Sequence, residues 1–295
     1  MFPASFAYHR PQTIDEAIAL LGSLGDDTKL MAGGHSLIPS MKLRLLEPKH
    51  LIDLGGIAAL KGVRISGEEL IVGAATTHYQ VESSKEAKAA LPLLCEVAGL
   101  IADPQVRNRG TMGGSLANSD PAADWPATAV ALDAAFVCRS SSGERVVPAS
   151  EWFQGLFTTA LEEGEVLCEL RYKRLPPRTA ATYLKLPHPA SRFAVVGVSA
   201  AITTDEAGNC IEARIGITGV NTHAVRASGV EAEIRGKQFT PALIAEASLR
   251  ADEDMDVSGD MHFSEEDKRE LCRAYVERAL LRVLERTKAG AFQGI

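Results

Sequence analysis

A chain of 295 residues with 46% hydrophobic side chains has room for about two domains, each with its own core. The formal net charge of −7 argues against a nucleic-acid surface, because basic residues are scattered apart from Arg107-Asn108-Arg109 and no aromatic ladder accompanies them. Five cysteines, at 95, 138, 168, 210 and 272, form no Cys-x-x-Cys pair, which argues against disulfides and a four-thiolate iron–sulfur centre and fits a reducing, cytoplasmic setting.

The opening Met1-Phe2-Pro3-Ala4-Ser5-Phe6 lacks the basic start and apolar run of a secretion signal, and no uncharged apolar run is long enough to span a membrane. Thr13-Ile14-Asp15-Glu16 reads as a capping box. It opens a helix with Ile14, Ala17, Ile18 and Leu21 on one face, expected to stop at Gly22 or Gly25. A buried strand is expected from Thr28 to Ala32. It leads into Ala32-Gly33-Gly34-His35-Ser36-Leu37-Ile38-Pro39, where Ser36 is expected to cap a helix from Leu37 to Leu45. Strands are expected at Leu51–Leu54 and Leu70–Ala74, a helix start at Thr77–Val81, and a helix from Leu91 to Ala102. A second glycine segment follows, Thr111-Met112-Gly113-Gly114-Ser115-Leu116-Ala117-Asn118, and then Ser119-Asp120-Pro121-Ala122-Ala123-Asp124.

Pro121–Leu132 reads as a helix, and Ala134–Cys138 and Val166–Tyr172 as strands. Lys173-Arg174-Leu175-Pro176-Pro177-Arg178 is the expected boundary between domains at 1–177 and 178–295, the first made of lobes at about 1–55 and 56–177. Beyond it, Phe193–Thr203 and Ile211–Val220 are expected to pair as a hairpin around Asp205–Asn209. Two helical stretches, near His223–Arg235 and Pro241–Arg250, precede an acidic segment, Ala251–Asp256, expected to be solvated. Ser264 then caps a long helix reaching about Lys288, with Leu271, Tyr275, Val276, Leu280, Val283 and Leu284 in one apolar stripe.

Neither glycine segment is Gly-x-Gly-x-x-Gly or Gly-x-x-x-x-Gly-Lys-Ser/Thr, so the Rossmann and Walker motifs are absent. Each offers a Gly-Gly pair followed by a serine at or near a helix start. There, converging backbone N–H groups and the helix dipole favour an anion. Two such segments suggest two clamps on one ligand with linked phosphates, with Ser36 and Ser115 adding hydroxyls and Asp124 accepting from a ribose or adenine. Taken singly, a Gly-Gly-x-Ser is more often a structural turn, His35 a turn histidine, Asp120 and Asp124 helix caps, and Arg107 and Arg109 surface charge.

Several words of the sequence together resemble the flavin-binding subunit of the molybdenum hydroxylases. They are Ala32 to Pro39, Met41-Lys42-Leu43-Arg44, Leu51-Ile52-Asp53-Leu54, the run from Ile101 to Gly114, Asp120 to Asp124, Tyr183-Leu184-Lys185-Leu186 and the helix from Ser264. The resemblance covers nearly the whole chain. It implies an α+β fold: a two-lobed FAD-binding domain of the vanillyl-alcohol-oxidase (PCMH) type, plus a C-terminal α/β domain with a small antiparallel sheet and helices. It further implies that Ala32, Gly33, Gly34, His35, Ser36, Leu37 and Ile38 hold the FAD pyrophosphate from one side. Thr111, Gly113, Gly114 and Ser115, with Asn118 nearby, hold it from the other. Ile101 flanks the cofactor, Asp124 makes an acidic contact to it, and Lys185 reaches it from the C-terminal domain. The chain departs from the family pattern at Met112 and at Pro187-His188-Pro189.

By the same resemblance the chain is an electron-transfer subunit. Its partners are a small subunit carrying 2Fe–2S clusters and a large molybdopterin-binding subunit, and its electrons pass to an acceptor such as a quinone, NAD or a cytochrome. The alternatives are a stand-alone flavin oxidoreductase of the same superfamily, which needs its own substrate domain and acid, and an assembly protein without flavin.

Overall fold

The computed structural model describes residues 1–253 and 255–292. Among the described residues the chain builds three larger sheets in succession, besides one two-stranded hairpin, each larger sheet carried by its own run of sequence. The first is parallel, β1 (Ala7–His9), β2 (Thr28–Met31) and β3 (His50–Asp53) in the order β1-β3-β2. Parallel neighbours need crossovers, supplied by helices at Ile14–Leu24 and Leu37–Lys42. The Thr13 hydroxyl caps the first helix by accepting the Glu16 N–H at 3.1 Å, and the helix passes Gly22 to stop at Gly25, where φ is +72°. Its buried face, Ala17 and Ile18, shares a core with Ile52, Leu54, Leu60 and with Val166 and Cys168 of the second sheet.

That second sheet is antiparallel: β4 (Val63–Ser66), β5 (Glu69–Gly73), β6 (Ala135–Ser140), β7 (Gly143–Pro148) and, after a small hairpin of β8 (Phe153–Gly155) and β9 (Thr158–Thr159), β10 (Val166–Lys173). The strand order β4-β5-β10-β6-β7 leaves a long excursion between β5 and β6, and six helices fill it, at His78–Glu82, Lys85–Ala90, Pro92–Leu100, Pro104–Arg107, Met112–Asn118 and Asp124–Ala131. Both tryptophans, Trp125 and Trp152, are fully buried here, and Trp152 stacks on Phe136 at 4.2 Å.

The third sheet, antiparallel β11 (Thr179–Pro187), β12 (Ala194–Thr204), β13 (Cys210–Thr218) and β14 (Val225–Arg226), is covered on both faces. Side chains alternate along a strand, so Val196, Val198, Ala200 and Ile202 meet the helix Glu265–Lys288, while Ala181, Tyr183 and Ala201 join the core of the second sheet. The long helix is capped by Ser264 in a capping box with Asp267, and Cys272, Val276, Ala279, Leu280, Val283 and Leu284 form its buried stripe. The architecture is thus mixed α and β, a parallel sheet and a helix-bearing antiparallel sheet followed by a second antiparallel sheet with helices. No helix among the described residues is long and apolar enough to cross a membrane.

Several elements differ from the sequence-based expectation. The helix after Ser36 ends at Lys42, and Ser36 makes no side-chain cap. A short helix, Pro104–Arg107, intervenes before the second glycine segment, because Pro104 fits the first helical turn and Asp103 caps it. His223–Arg235 contains the strand β14 before its helix, Ser228–Ile234. The acidic segment is solvated only in part: Glu253 and Asp256 are exposed, but Asp252 is buried and pairs with Arg273 at 2.6 Å and Arg269 at 3.1 Å, while Ala251 and Met255 lie in the core. Asp254 falls outside the described residues.

Two glycines test this packing in opposite senses. Gly22 sits in the first helix with open space around it, so Gly22→Ala is expected to stabilise by about 0.5–1 kcal/mol. A Cβ at Gly216 would land on the Ala127 carbonyl, where the helix Asp124–Ala131 meets β13, so Gly216→Ala is expected to destabilise by about 1–3 kcal/mol. Denaturant unfolding of both variants checks this; a neutral Gly216→Ala would show that the helix does not press on the sheet there.

Candidate functional site

The first glycine segment leaves β2 and turns at Gly34, whose φ of +75° strains any residue with a Cβ. The amides of Gly33, Gly34, His35 and Ser36 have no acceptor in the chain among the described residues, whereas the Ile38 amide already bonds to the Gly34 carbonyl. Four consecutive free donors at the start of a turn suit an oxygen-rich anion. His35 is exposed, with Nδ1 3.3 Å from the Gly33 carbonyl, and Leu37 and Ile38 are half-buried at the start of the short helix.

The second segment is built differently. Thr111 is the cap of the helix Met112–Asn118, so both glycines lie inside the helix. Its amides from Met112 to Ser115 are already used: Met112 donates to the Thr76 carbonyl (3.0 Å), Gly113 to that of Ala74 (2.9 Å), Gly114 to the Thr111 hydroxyl (3.1 Å) and Ser115 to the Thr111 carbonyl (3.0 Å). What this side has left for a ligand is therefore the Thr111 amide and, chiefly, the hydroxyls of Thr111 and Ser115. Gly113 is glycine because a Cβ would overlap Ala74, in the turn that follows β5. Ser115 and Asn118 are half-buried farther along the helix.

The fold brings the two segments into contact. A Cβ on Gly33 would strike the Arg109 carbonyl and stand 2.8 Å from the Gly110 Cα. A Cβ on Gly114 would stand 3.7 Å from that of Ala32. The donor set fits a diphosphate: free amides on one side and hydroxyls on the other.

Asp124 is the first residue of the helix Asp124–Ala131 and is buried. The Tyr183 hydroxyl donates to its Oδ1 at 2.6 Å and the Lys185 Nζ to its Oδ2 at 3.0 Å. Burial pushes the carboxyl up, against the opposing pull of Lys185 and Tyr183. Burial, helped by the negative charge of Asp124, likewise pushes the Tyr183 phenol well up, so it stays a donor. Lys185 also donates to the Arg192 carbonyl at 3.0 Å, bracing the turn between β11 and β12, where Arg192 has φ +60° and Phe193 is exposed. Both groups retain hydrogen-bonding capacity, a further lone pair on each Asp124 oxygen and one proton on Lys185.

Ile101 ends the helix Pro92–Leu100, half-buried, and its carbonyl accepts from Arg107 at 3.0 Å. Arg107 is a structural clamp on this turn, paired with Glu82 at 2.8 Å, rather than surface charge. Among the described residues, the Asn118 side chain makes no hydrogen bond to the other predicted site residues.

The sequence by itself assigns no role to three residues of this region. Tyr183 is legible only through the two-residue period of β11, which puts it on the face of Lys185. His78 and Trp125 form a buried hydrogen bond, Nε1 to Nδ1 at 3.0 Å, for which the sequence carries no spacing signal.

Removing one partner of the buried triad leaves the others unpaired. Asp124→Ala is expected to lower the unfolding free energy by about 3–5 kcal/mol, and adding Lys185→Met to recover a large part of it. Urea unfolding of the single and double variants measures this; an unchanged single variant would show that the ion pair carries no structural weight.

Comparison with known proteins agrees with this architecture. A family model described as the FAD binding domain in molybdopterin dehydrogenase matches residues 4–172, and one described as the CO dehydrogenase flavoprotein C-terminal domain matches residues 181–283. The carbon monoxide dehydrogenase medium chain of Hydrogenophaga pseudoflava is 41% identical over 281 residues, covering 95% of this chain and 97% of that one. Subunit alpha of the 6-hydroxypseudooxynicotine dehydrogenase complex of Paenarthrobacter nicotinovorans is 34% identical, covering 98% and 97%. The solved carbon monoxide dehydrogenase from Hydrogenophaga pseudoflava, in a form lacking the Mo-pyranopterin moiety, superimposes with a TM-score of 0.94 at 41% identity, covering 97% of this chain and 99% of that one. This chain therefore belongs to the FAD-binding medium subunits of the molybdenum hydroxylases, an oxidoreductase subunit whose cofactor is FAD.

Proposed function

We propose that this chain takes electrons from a small 2Fe–2S subunit and passes them to an external acceptor such as a quinone, NAD or a cytochrome, within a cytoplasmic complex whose large subunit holds molybdopterin. The observation that carries the reading is the run of free amides at Gly33–Ser36 packed against the Arg109–Gly110 turn. FAD, when bound, supplies electron exchange in one- or two-electron steps.

The chain's own residues bind and orient. The Gly33–Ser36 amides donate to the pyrophosphate from one side, and Gly34 permits the turn that aims them. The Thr111 and Ser115 hydroxyls donate from the other. Asp124 accepts from the ribose or adenine with one of its remaining lone pairs, and Lys185 offers its remaining proton while bracing the turn that carries Arg192 and Phe193. Ala32, His35, Leu37, Ile38, Ile101, Gly113, Gly114 and Asn118 shape the walls of this site.

Chemistry on a hydroxylation substrate is assigned to the partners. Among the described residues no three His, Cys, Asp or Glu side chains gather as a metal-ligand set. Burial pushes the thiols of Cys138, Cys168, Cys210 and Cys272 up to about 12, away from the thiolate a cluster needs. The relatives' names span carbon monoxide, caffeine and 6-hydroxypseudooxynicotine at 31–43% identity, so likeness in this subunit does not select a substrate.

Titration of the apoprotein is expected to show FAD binding far more tightly than FMN, and Gly34→Val to abolish retention with the fold kept; equal affinity for the two flavins would sink the two-sided clamp. The purified chain alone is expected to be yellow, free of molybdenum and iron, and silent toward aldehydes, purines and N-heterocycles. Turnover without partners, or stoichiometric metal in the same sample, would overturn the subunit reading.

A further inference from the structure

We infer that His78 is a positioning residue for the FAD site, its ring setting the separation of the two glycine segments through Gly110. The inference rests on the reading that FAD bridges those segments.

His78 opens the helix His78–Glu82, capped by Thr77 and Gln80 in a capping box. Thr77 and Thr111 form an isolated antiparallel bridge, in which the His78 amide donates to the Gly110 carbonyl and the Met112 amide to that of Thr76, both at 3.0 Å. The backbone of His78 therefore already fixes the start of the second segment. Its side chain adds a second hold. Trp125 donates to Nδ1 at 3.0 Å, so the neutral ring carries its proton on Nε2. Burial lowers the pKa to about 4, and His35 and Arg107 push the same way, so the ring is neutral near pH 7.

The opposite edge of that ring meets Gly110. A Cβ there would stand 2.8 Å from Nε2 and 2.9 Å from Cδ2. Gly110 in turn lies against Gly33, as described above. Trp125, His78, Gly110 and Gly33 thus form a continuous line from the helix that carries Asp124 to the free amides. Trp125 is fully buried and His78 nearly so, and packed interiors transmit displacement rather than absorb it. Gly110 is glycine at an ordinary φ, so what requires it is the closeness of its neighbour and not backbone freedom.

A double-mutant cycle on the full chain tests this, with FAD affinity read from flavin fluorescence and apoprotein melting followed separately. Gly110→Ala and His78→Ala are each expected to weaken FAD by about tenfold. The double variant is expected to bind no worse than Gly110→Ala, because removing the ring makes room for the methyl group. Losses that multiply, or wild-type affinity in either single variant, would overturn the inference. Should His78→Ala fail to fold, His78→Asn replaces it, keeping an acceptor for Trp125 while withdrawing the edge that meets Gly110, with the same expectation for the cycle. A wild-type chain with no FAD affinity would instead sink the functional reading beneath it, so the two failures are distinguishable.

Discussion

The contact between Gly33 and the Arg109–Gly110 turn is the constraint on which the site depends. No side chain fits there, so two segments from different sheets meet backbone to backbone. Everything near it serves that approach. The first segment spends none of its Gly33–Ser36 amides internally, while the second spends those of Met112 through Ser115 on its own helix and on the turn that follows β5. One side is therefore a preorganised set of donors and the other a rigid wall. Such an arrangement limits the ordering that binding must impose.

A second hub couples this wall to the third sheet. The helix Asp124–Ala131 holds Tyr183 and Lys185 through its first residue and His78 through its second. Glu96, on a neighbouring helix, accepts from the Thr182 hydroxyl at 3.0 Å and pairs with Arg286 of the long C-terminal helix at 2.9 Å. A buried ion pair of this kind seldom adds much net stability, since desolvation offsets attraction. Its geometry does specify one docking of β11, because a sheet shifted by one residue would turn Tyr183 and Lys185 away from Asp124.

Much of this was legible in the sequence where a local rule applies. Thr13 and Ser264 cap the helices predicted from them, the hairpin around Asp205–Asn209 pairs as expected, and of the apolar stripe of the final helix Val276, Leu280, Val283 and Leu284 are buried while Leu271 and Tyr275 are half-buried. The glycine segments were visible because glycine is informative at any position, and the resemblance supplied FAD. The failures share a cause: they depend on partners far away in the chain. Strand β11 begins Thr179-Ala180-Ala181, with little β preference, and is held as a strand by β12. The burial of Asp252 within the acidic stretch was hidden because Arg269 and Arg273 approach it from a helix beyond an intervening loop. The chemical difference between the two glycine segments was equally hidden, since Ala74 and Thr76 take up the amides of the second from a strand end much earlier in the sequence.

The complete burial of β12 bears on how the molecule comes apart. Its even-numbered residues from Val196 to Ile202 belong to one core, and Ala201 belongs to the other. A strand with no solvent face is a shared wall, and neither neighbour can be removed without baring apolar surface. Although two family models divide the sequence near this point, the C-terminal portion cut out alone would present Ala181, Tyr183 and Ala201 to water and invite association through that face. The cofactor region and the C-terminal sheet are in this sense a single cooperative unit, in which loosening one loosens the other.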